Sequence, residues 1–304
     1  MKLKRRLIRG ALCLALLGLC GCQNKAALSI TFGGDIFLAR DGAPLFAQAP
    51  WNGFGAPPEG LFFANLESPL GRLEQRGDAS AGYNLCAGMD QAALLTAGGV
   101  DLVSLANNHR QDCGTGEATL EALVGSGIAA AGSSLSPVYL DTAAGRVGVI
   151  AADGVSAPLD EAELVRQAGA ARQNCAVLIV SLHWGEEYQS GPGAQQRALA
   201  QKLADAGVDV LWGHHPHVLQ PAEWVRAADG SRKMLVLYSL GNLLADQWML
   251  EDARRSALVT VDFKDSQIVA VSIQPIYMDR QKRQLVSPRA EDAEKIRRRL
   301  GWQE

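Results

Sequence analysis

Six short stretches of this chain are almost wholly apolar: LSITF (28–32), GLFFAN (60–65), VDLVSLA (100–106), RVGVIAA (146–152), AVLIVSLHW (176–184) and VDVLWG (208–213). Runs of this length without polar alternation predict strands covered on both faces. Between them, MDQAALLTAGG, GTGEATLEALVGSG and GAQQRALAQKLADAG carry apolar residues at helical spacing. Each stops at a glycine able to adopt the left-handed cap, the last at Gly207. After residue 233 the pattern changes. KMLVLYSLGN, SALVTVDF and IVAVSIQPI read as successive strands without helices, and the tail AEDAEKIRRRLGW reads as a solvated surface helix. An α/β first part with a β-rich second part predicts helices layered over sheets. No low-complexity linker or repeat interrupts residues 28–304, so one domain is expected there.

The first residues, MKLKRRLIRGALCLALLGLCGC, stand apart from this pattern. Five basic residues precede an apolar run too short to span a bilayer, which needs about 20 residues. Residues 1–21 therefore read as a signal peptide. Leu19-Cys20-Gly21-Cys22 resembles a bacterial lipobox, which predicts lipidation at Cys22 and a tether over 22–27; a plain signal peptide is the alternative. A multi-acyl anchor would hold the chain at a membrane where one acyl chain would not. The expected location is the cell envelope, on the periplasmic side of the outer membrane in a Gram-negative host. Without residues 1–21, 24 Lys and Arg face 32 Asp and Glu, a formal charge of −8. That balance excludes the basic stripe of a nucleic-acid binder. Cys86, Cys113 and Cys175 allow at most one disulfide; three small, partly buried side chains are the expectation, and their spacing does not suit a cysteine zinc site.

Polar, metal-capable residues follow five apolar runs. They are Asp35; Asn65 with Glu67; Asn107, Asn108, His109 and Asp112; His183; and His214, His215 and His217. Ligands bind beyond the carboxyl ends of strands in open α/β sheets, so these tips are expected to converge. Taken singly, most would be turns or buried rings. Yet all five histidines of the chain fall at these tips. A mixed Asp, Glu, Asn and His set without thiolate suits a hydrolytic metal site, holding one or two divalent ions such as manganese, iron or zinc. Pro216, with its fixed φ, is expected to hold His215 and His217 in an extended arrangement.

GGDIFLA, FFANLESPL, LANNHRQDCG, SLHWGEEY, WGHHPHVLQP and YSLGNLLADQ, in this order, resemble the successive motifs of the CapA-type proteins. That family is named for poly-γ-glutamate capsule biosynthesis, and its fold is related to the calcineurin-like metallophosphoesterases. The resemblance implies an α/β (α+β) four-layer αββα sandwich. It makes Asp35, Glu67, Asn108, His183, His215 and His217 the metal ligands. Glu67 would take the bridging place, His109 would act near the leaving group, and Asp112 would orient it. His214 and Asn65 would be ligands or their supports, and Asn242 would line the pocket. One departure is that Asp35-Ile36-Phe37 lacks the imidazole of the usual Asp-x-His. The implied partners are an anionic envelope polymer, a small phosphoester or amide substrate, and capsule-synthesis membrane proteins. The implied role is hydrolysis of a phosphoester or amide; the alternative is a surface-anchored assembly factor that grips carboxylates at the metal without turnover.

Overall fold

The computed structural model describes residues 28–40, 59–72 and 83–301. The signal segment and Cys22 lie outside the described residues. Among those described, no helix is long and apolar enough to cross a membrane.

Strands are numbered along the chain. One sheet contains β1 (Leu28–Ile36), β2 (Leu61–Leu66), β5 (Leu102–Ser104), β6 (Ala129–Ala131), β13 (Asn242–Leu244), β14 (Arg255–Lys264), β15 (Gln267–Asp279) and β16 (Gln284–Val286). Their order is β16-β15-β14-β1-β2-β5-β6, and β13 also pairs with β1. The other sheet has β7 (Val138–Thr142), β8 (Gly145–Asp153), β9 (Val177–His183), β10 (Val210–His214), β11 (Ala222–Arg226) and β12 (Lys233–Leu237), in the order β11-β12-β10-β9-β8-β7. Short strands β3 (Leu70–Gly71) and β4 (Ala87–Gly88) pair separately.

The two sheets face each other across Phe32, Phe63, Val149, Ile179, Trp212 and Val259, all buried. Trp212 lends its bulk to this layer and gives its indole N–H to the Gly33 carbonyl at 2.9 Å, so its polar end is satisfied without water. On the outer side of the first sheet, α1 (Ala92–Ala97) and α2 (Glu117–Gly125) contribute Leu95 and Leu123 to a second core. On the outer side of the other sheet, α3 (Glu161–Arg172) and α4 (Ala194–Asp205) do the same with Leu164, Ala168, Leu199 and Leu203. The layers run helix, sheet, sheet, helix, because each apolar strand run has a covered face on both sides.

Three features depart from the sequence reading. The α3 helix has no counterpart there: its buried stripe is Leu164, Ala168 and Ala171, weak in hydrophobicity, and its clearest sequence signal is the Asp160 cap, which accepts the Glu163 amide at 3.0 Å. The C-terminal helix α5 (Ala290–Arg299) is not simply solvated. Ile296 and the following Leu300 are fully buried in the core between the sheets, and buried Asp292 pairs with Arg255 of β14 at 2.8 Å. Finally, Cys86 and Cys113 form a disulfide, leaving Cys175 free. The bond closes a span of 27 residues, which in the chain-entropy account stabilises by about 3.5 kcal/mol. A Cys86→Ser/Cys113→Ser variant is expected to lose about that much in urea unfolding, with no further loss on adding reductant.

Candidate metal centre

The site begins with two rows of paired residues at the strand ends. In the first sheet, Asp35 of β1 sits in register with Asn65 of β2 and with Asn242 of β13, and Asn65 with Ser104 of β5. In the other, His183 of β9 is in register with Asp153 of β8 and His214 of β10. Two sheets stacked face to face thus bring both rows to one edge. The first row depends on a change of partner: β1 pairs with β14 up to Phe32 and with β13 from Asp35. At the changeover Gly34 passes so close to the residue before β13 that a Cβ there would lie 1.9 Å from the Gly241 carbonyl oxygen.

The His215–His217 turn is where the structure corrects the extended arrangement. Strand β10 ends at His214, and His215 and His217 take positive φ angles of 93° and 58°. Left-handed backbone at non-glycine residues costs about 1–3 kcal/mol apiece and persists only where neighbours hold it. Here the Tyr188 amide donates to the Pro216 carbonyl at 2.8 Å. The turn aims both rings inward: the His215 ring lies 4.8 Å from that of His183, and His217 packs against the edge of Phe37 at 5.5 Å.

Glu67 occupies the middle. It is fully buried, with Oε1 3.9 Å from His183 Nδ1 and 4.0 Å from His217 Nδ1. Asn65 donates to both carboxylates, at 2.8 Å to Asp35 and 3.2 Å to Glu67. Asn107 in turn donates to the Leu66 carbonyl at 2.9 Å, fixing the strand tip. Asp35 Oδ2 lies 3.2 Å from His217 Nδ1, and Oδ1 lies 3.3 Å from His214 Nδ1. His214 also reaches Ser181 Oγ at 3.1 Å through Nε2 and packs edge-on against Trp212. It therefore stands behind Asp35, not beside His215 and His217. Asn108 Oδ1 holds His183 Nε2 at 2.8 Å.

Burial and neighbouring charge set these groups apart. Desolvation raises the Glu67 carboxyl well above the usual range, and the nearby Asp35 charge adds to that. For Asp35, burial also opposes ionisation, but the close rings of His214 and His217 outweigh it and hold its carboxyl well below the usual range. Burial pushes the imidazoles of His183, His214 and His215 down, which favours the neutral form that a cation needs in a ligand. Eight buried side-chain atoms of the described residues lack a hydrogen-bond partner, and four of them are here: Glu67 Oε2, His183 Nδ1, His214 Nδ1 and His215 Nδ1. His214 Nδ1 is near Asp35 but off hydrogen-bond geometry. Orphaned buried acceptors cost about 1–3 kcal/mol each, and a divalent cation would satisfy them. The oxygen and nitrogen donor set fits such an ion.

His109 and Asp112 adjoin the centre on the Asn107–Asp112 loop. Asp112 Oδ2 holds His109 Nδ1 at 2.9 Å and accepts the Leu85 amide at 2.7 Å. The disulfide from the next residue, Cys113, to Cys86 ties the same two segments together. Two further residues belong to the site. Asn242 does more than line the pocket, since its Oδ1 lies 3.1 Å from His217 Nδ1. Glu187, absent from the sequence reading, brings Oε1 to 4.0 Å from His217 Nε2, and Glu187, His215 and His217 offer donor atoms within 4.8 Å of one another. Asp35, Glu67 and His217 form a second such group. The sequence signal for Glu187 is its place four residues beyond His183 at the tip of β9.

The chain is similar to known proteins in sequence and in fold. The chain is 27% identical over 277 residues to the PGA biosynthesis protein CapA of Bacillus subtilis (strain 168), covering 82% of this chain and 71% of that one. It is 38% identical over 103 residues to the capsule biosynthesis protein CapA of Bacillus anthracis, across 34% of this chain and 23% of the relative. Among solved structures, a hypothetical protein from Thermus thermophilus aligns with a TM-score of 0.52 at 17% identity, covering 82% of this chain and 98% of that one. A novel phosphatase from Mycoplasma pneumoniae aligns with a TM-score of 0.50 at 13% identity, covering 82% and 93%. The fold is of the metallophosphoesterase type. Residues 29–247 match the family described as bacterial capsule synthesis protein PGA_cap, and the chain belongs to that family.

Proposed function

We propose that this protein serves the synthesis or export of an anionic capsule polymer of the poly-γ-glutamate kind, as a metal-dependent hydrolase of the cell envelope. The observation that carries the hydrolase reading is the buried cluster of imidazoles and carboxylates around Glu67, in which Glu67 Oε2, His183 Nδ1 and His215 Nδ1 lack hydrogen-bond partners. Support for the capsule role comes from the relatives' names and the family match. Export is supported by the signal-like first segment and by a disulfide, which persists in oxidising compartments. Lipidation at Cys22 would anchor the chain to a membrane, and capsule-synthesis membrane proteins are the partners this location suggests.

Asp35, Glu67, Asn108, His183, His215 and His217 would hold one or two divalent ions, with His214 behind Asp35. When bound, such ions polarise a phosphoryl or amide oxygen and lower the pKa of water. The chain's own residues would do the rest. Asp112 accepts the His109 Nδ1 proton in a hydrogen bond, so Nε2 would take a proton from the attacking water and pass it on to the departing oxygen or nitrogen.

The test is elemental analysis of the purified chain after reconstitution with manganese, iron or zinc, followed by a screen of phosphodiesters and γ-glutamyl amides. At least one equivalent of metal and turnover of one class are expected. His109→Ala should keep the metal and lose about 10²–10⁴-fold in turnover. No metal after reconstitution would sink the hydrolase reading. Metal without turnover would favour an assembly factor that grips carboxylates.

A further inference from the structure

His217 faces two ways. Its Nδ1 lies 3.2 Å from Asp35 Oδ2 and 3.1 Å from Asn242 Oδ1. The orientation of the Asn242 amide is fixed independently, because its Nδ2 donates to the Ala253 carbonyl at 3.2 Å and to Gln247 Oε1 at 2.9 Å. Its Oδ1 can therefore only accept. A ring nitrogen between a carboxylate oxygen and an amide oxygen carries the proton, so the lone pair of His217 is on Nε2. That nitrogen looks away from Asp35, toward Glu187.

On the β1 side of His217 stands Phe37, its ring perpendicular to the imidazole and without a ligand atom. On the other side, the loop after β9 carries Glu187 over the site. Its backbone is locked to the histidine turn by the bond from the Tyr188 amide to Pro216, with Tyr188 itself at φ 61°. His215, buried and with Nδ1 unpartnered, completes the same group. Glu187 also lies close enough to Glu67 for its charge to raise that carboxyl further. Asp35, Glu67 and Glu187 thus converge, and every ion pair recorded for them among the described residues is with a histidine.

We propose that Glu187 is a metal ligand, closing the centre from the solvent side together with His215 and His217 Nε2. The inference rests on the metal reading above and extends it to a residue on a half-exposed loop.

The experiment is a titration of the full chain with cobalt(II), followed by visible absorption, alongside metal content by mass spectrometry. Wild type, Glu187→Gln and Glu186→Gln are compared. Glu187 is half exposed, so its amide variant keeps the fold. The expected result is loss of one equivalent, or at least tenfold weaker cobalt binding with a changed visible spectrum, in Glu187→Gln alone. Identical stoichiometry, affinity and spectrum in wild type and Glu187→Gln would overturn the inference while leaving the metal centre standing. No metal in the wild type would overturn both.

Discussion

Glu67→Gln is expected to raise the stability of the metal-free protein at neutral pH and to abolish tight metal binding. The two effects have one origin. Burial, with Asp35 beside it, holds the folded-state carboxyl of Glu67 well above its ordinary value of 4.5. A raised carboxyl contributes stability that is fully present below pH 4.5 and is lost as pH climbs toward the folded-state value, because the unfolded chain ionises first. The amide removes that loss while keeping the hydrogen bond from Asn65 in reach. Metal-stripped Glu67→Gln should therefore gain in melting temperature over metal-stripped wild type as pH rises above 4.5, a difference taken at each pH so that the lowered imidazoles of His183, His214 and His215, which cost stability in mild acid in both proteins, cancel. Asp35 works in the opposite sense: its lowered carboxyl adds stability above pH 3.8 that disappears in more acidic solution. Metal affinity moves the other way from stability. Residues that only support ligands cost about 10–100-fold when changed, so loss of the central carboxylate should exceed roughly 100-fold. Thermal melts with and without chelator, beside metal content, decide the matter. Equal melting behaviour of the two metal-free proteins across pH would show that burial does not raise the Glu67 carboxyl.

Gly34→Ala should be the most damaging small substitution in the first sheet. The added methyl would stand 1.9 Å from the Gly241 carbonyl oxygen, and both are backbone positions that cannot rotate aside. The Gly34 and Gly241 segments would have to part, which breaks the bond from the Asp35 amide to that same carbonyl, now 3.0 Å. A loss of about 4 kcal/mol is expected, at the upper end for a point substitution, with a fall in melting temperature of roughly 10 °C. Gly169→Ala makes the matching control. It sits within α3, where a Cβ would meet nothing within 4 Å, and it should gain about 0.5–1 kcal/mol from helix propensity. A fully stable Gly34→Ala protein with normal metal content would refute the close approach.

Much of this was legible in the residues. Apolar runs without alternation point to the covered strands of both sheets, since such a pattern has no other placement that keeps it from water. The strand-tip positions of Asp35, Asn65, Glu67, Asn108, His183 and His215 bring them to one edge because parallel strands point their carboxyl ends the same way. What stayed hidden depends on partners distant in sequence. The left-handed turn at His215 and His217 is held by the backbone of Tyr188, whereas local propensity points to extended chain. Asn242 meets His217 only because β13 takes over from β14 beside β1. The pairing of Asp292 with Arg255 makes burial of a charged helix tolerable, and nothing within α5 announces it. Glu187 follows Glu186 in a polar loop, and its role rests on that loop folding back over the histidine turn.

The partner change along β1 has a kinetic consequence. Asp35 meets His217 across 182 residues of chain, and His183 meets Asn108 across 75. Contacts so distant along the chain form slowly, because loop closure must precede any reward. The candidate ligands are spread from Asp35 to His217, so a growing chain holds only scattered donors until the segment through His217 has been added. An ion that prefers the completed cluster then shifts the balance toward the folded chain by mass action. A divalent ion bound there would act as a latch, engaging only after the distant strand tips have come together.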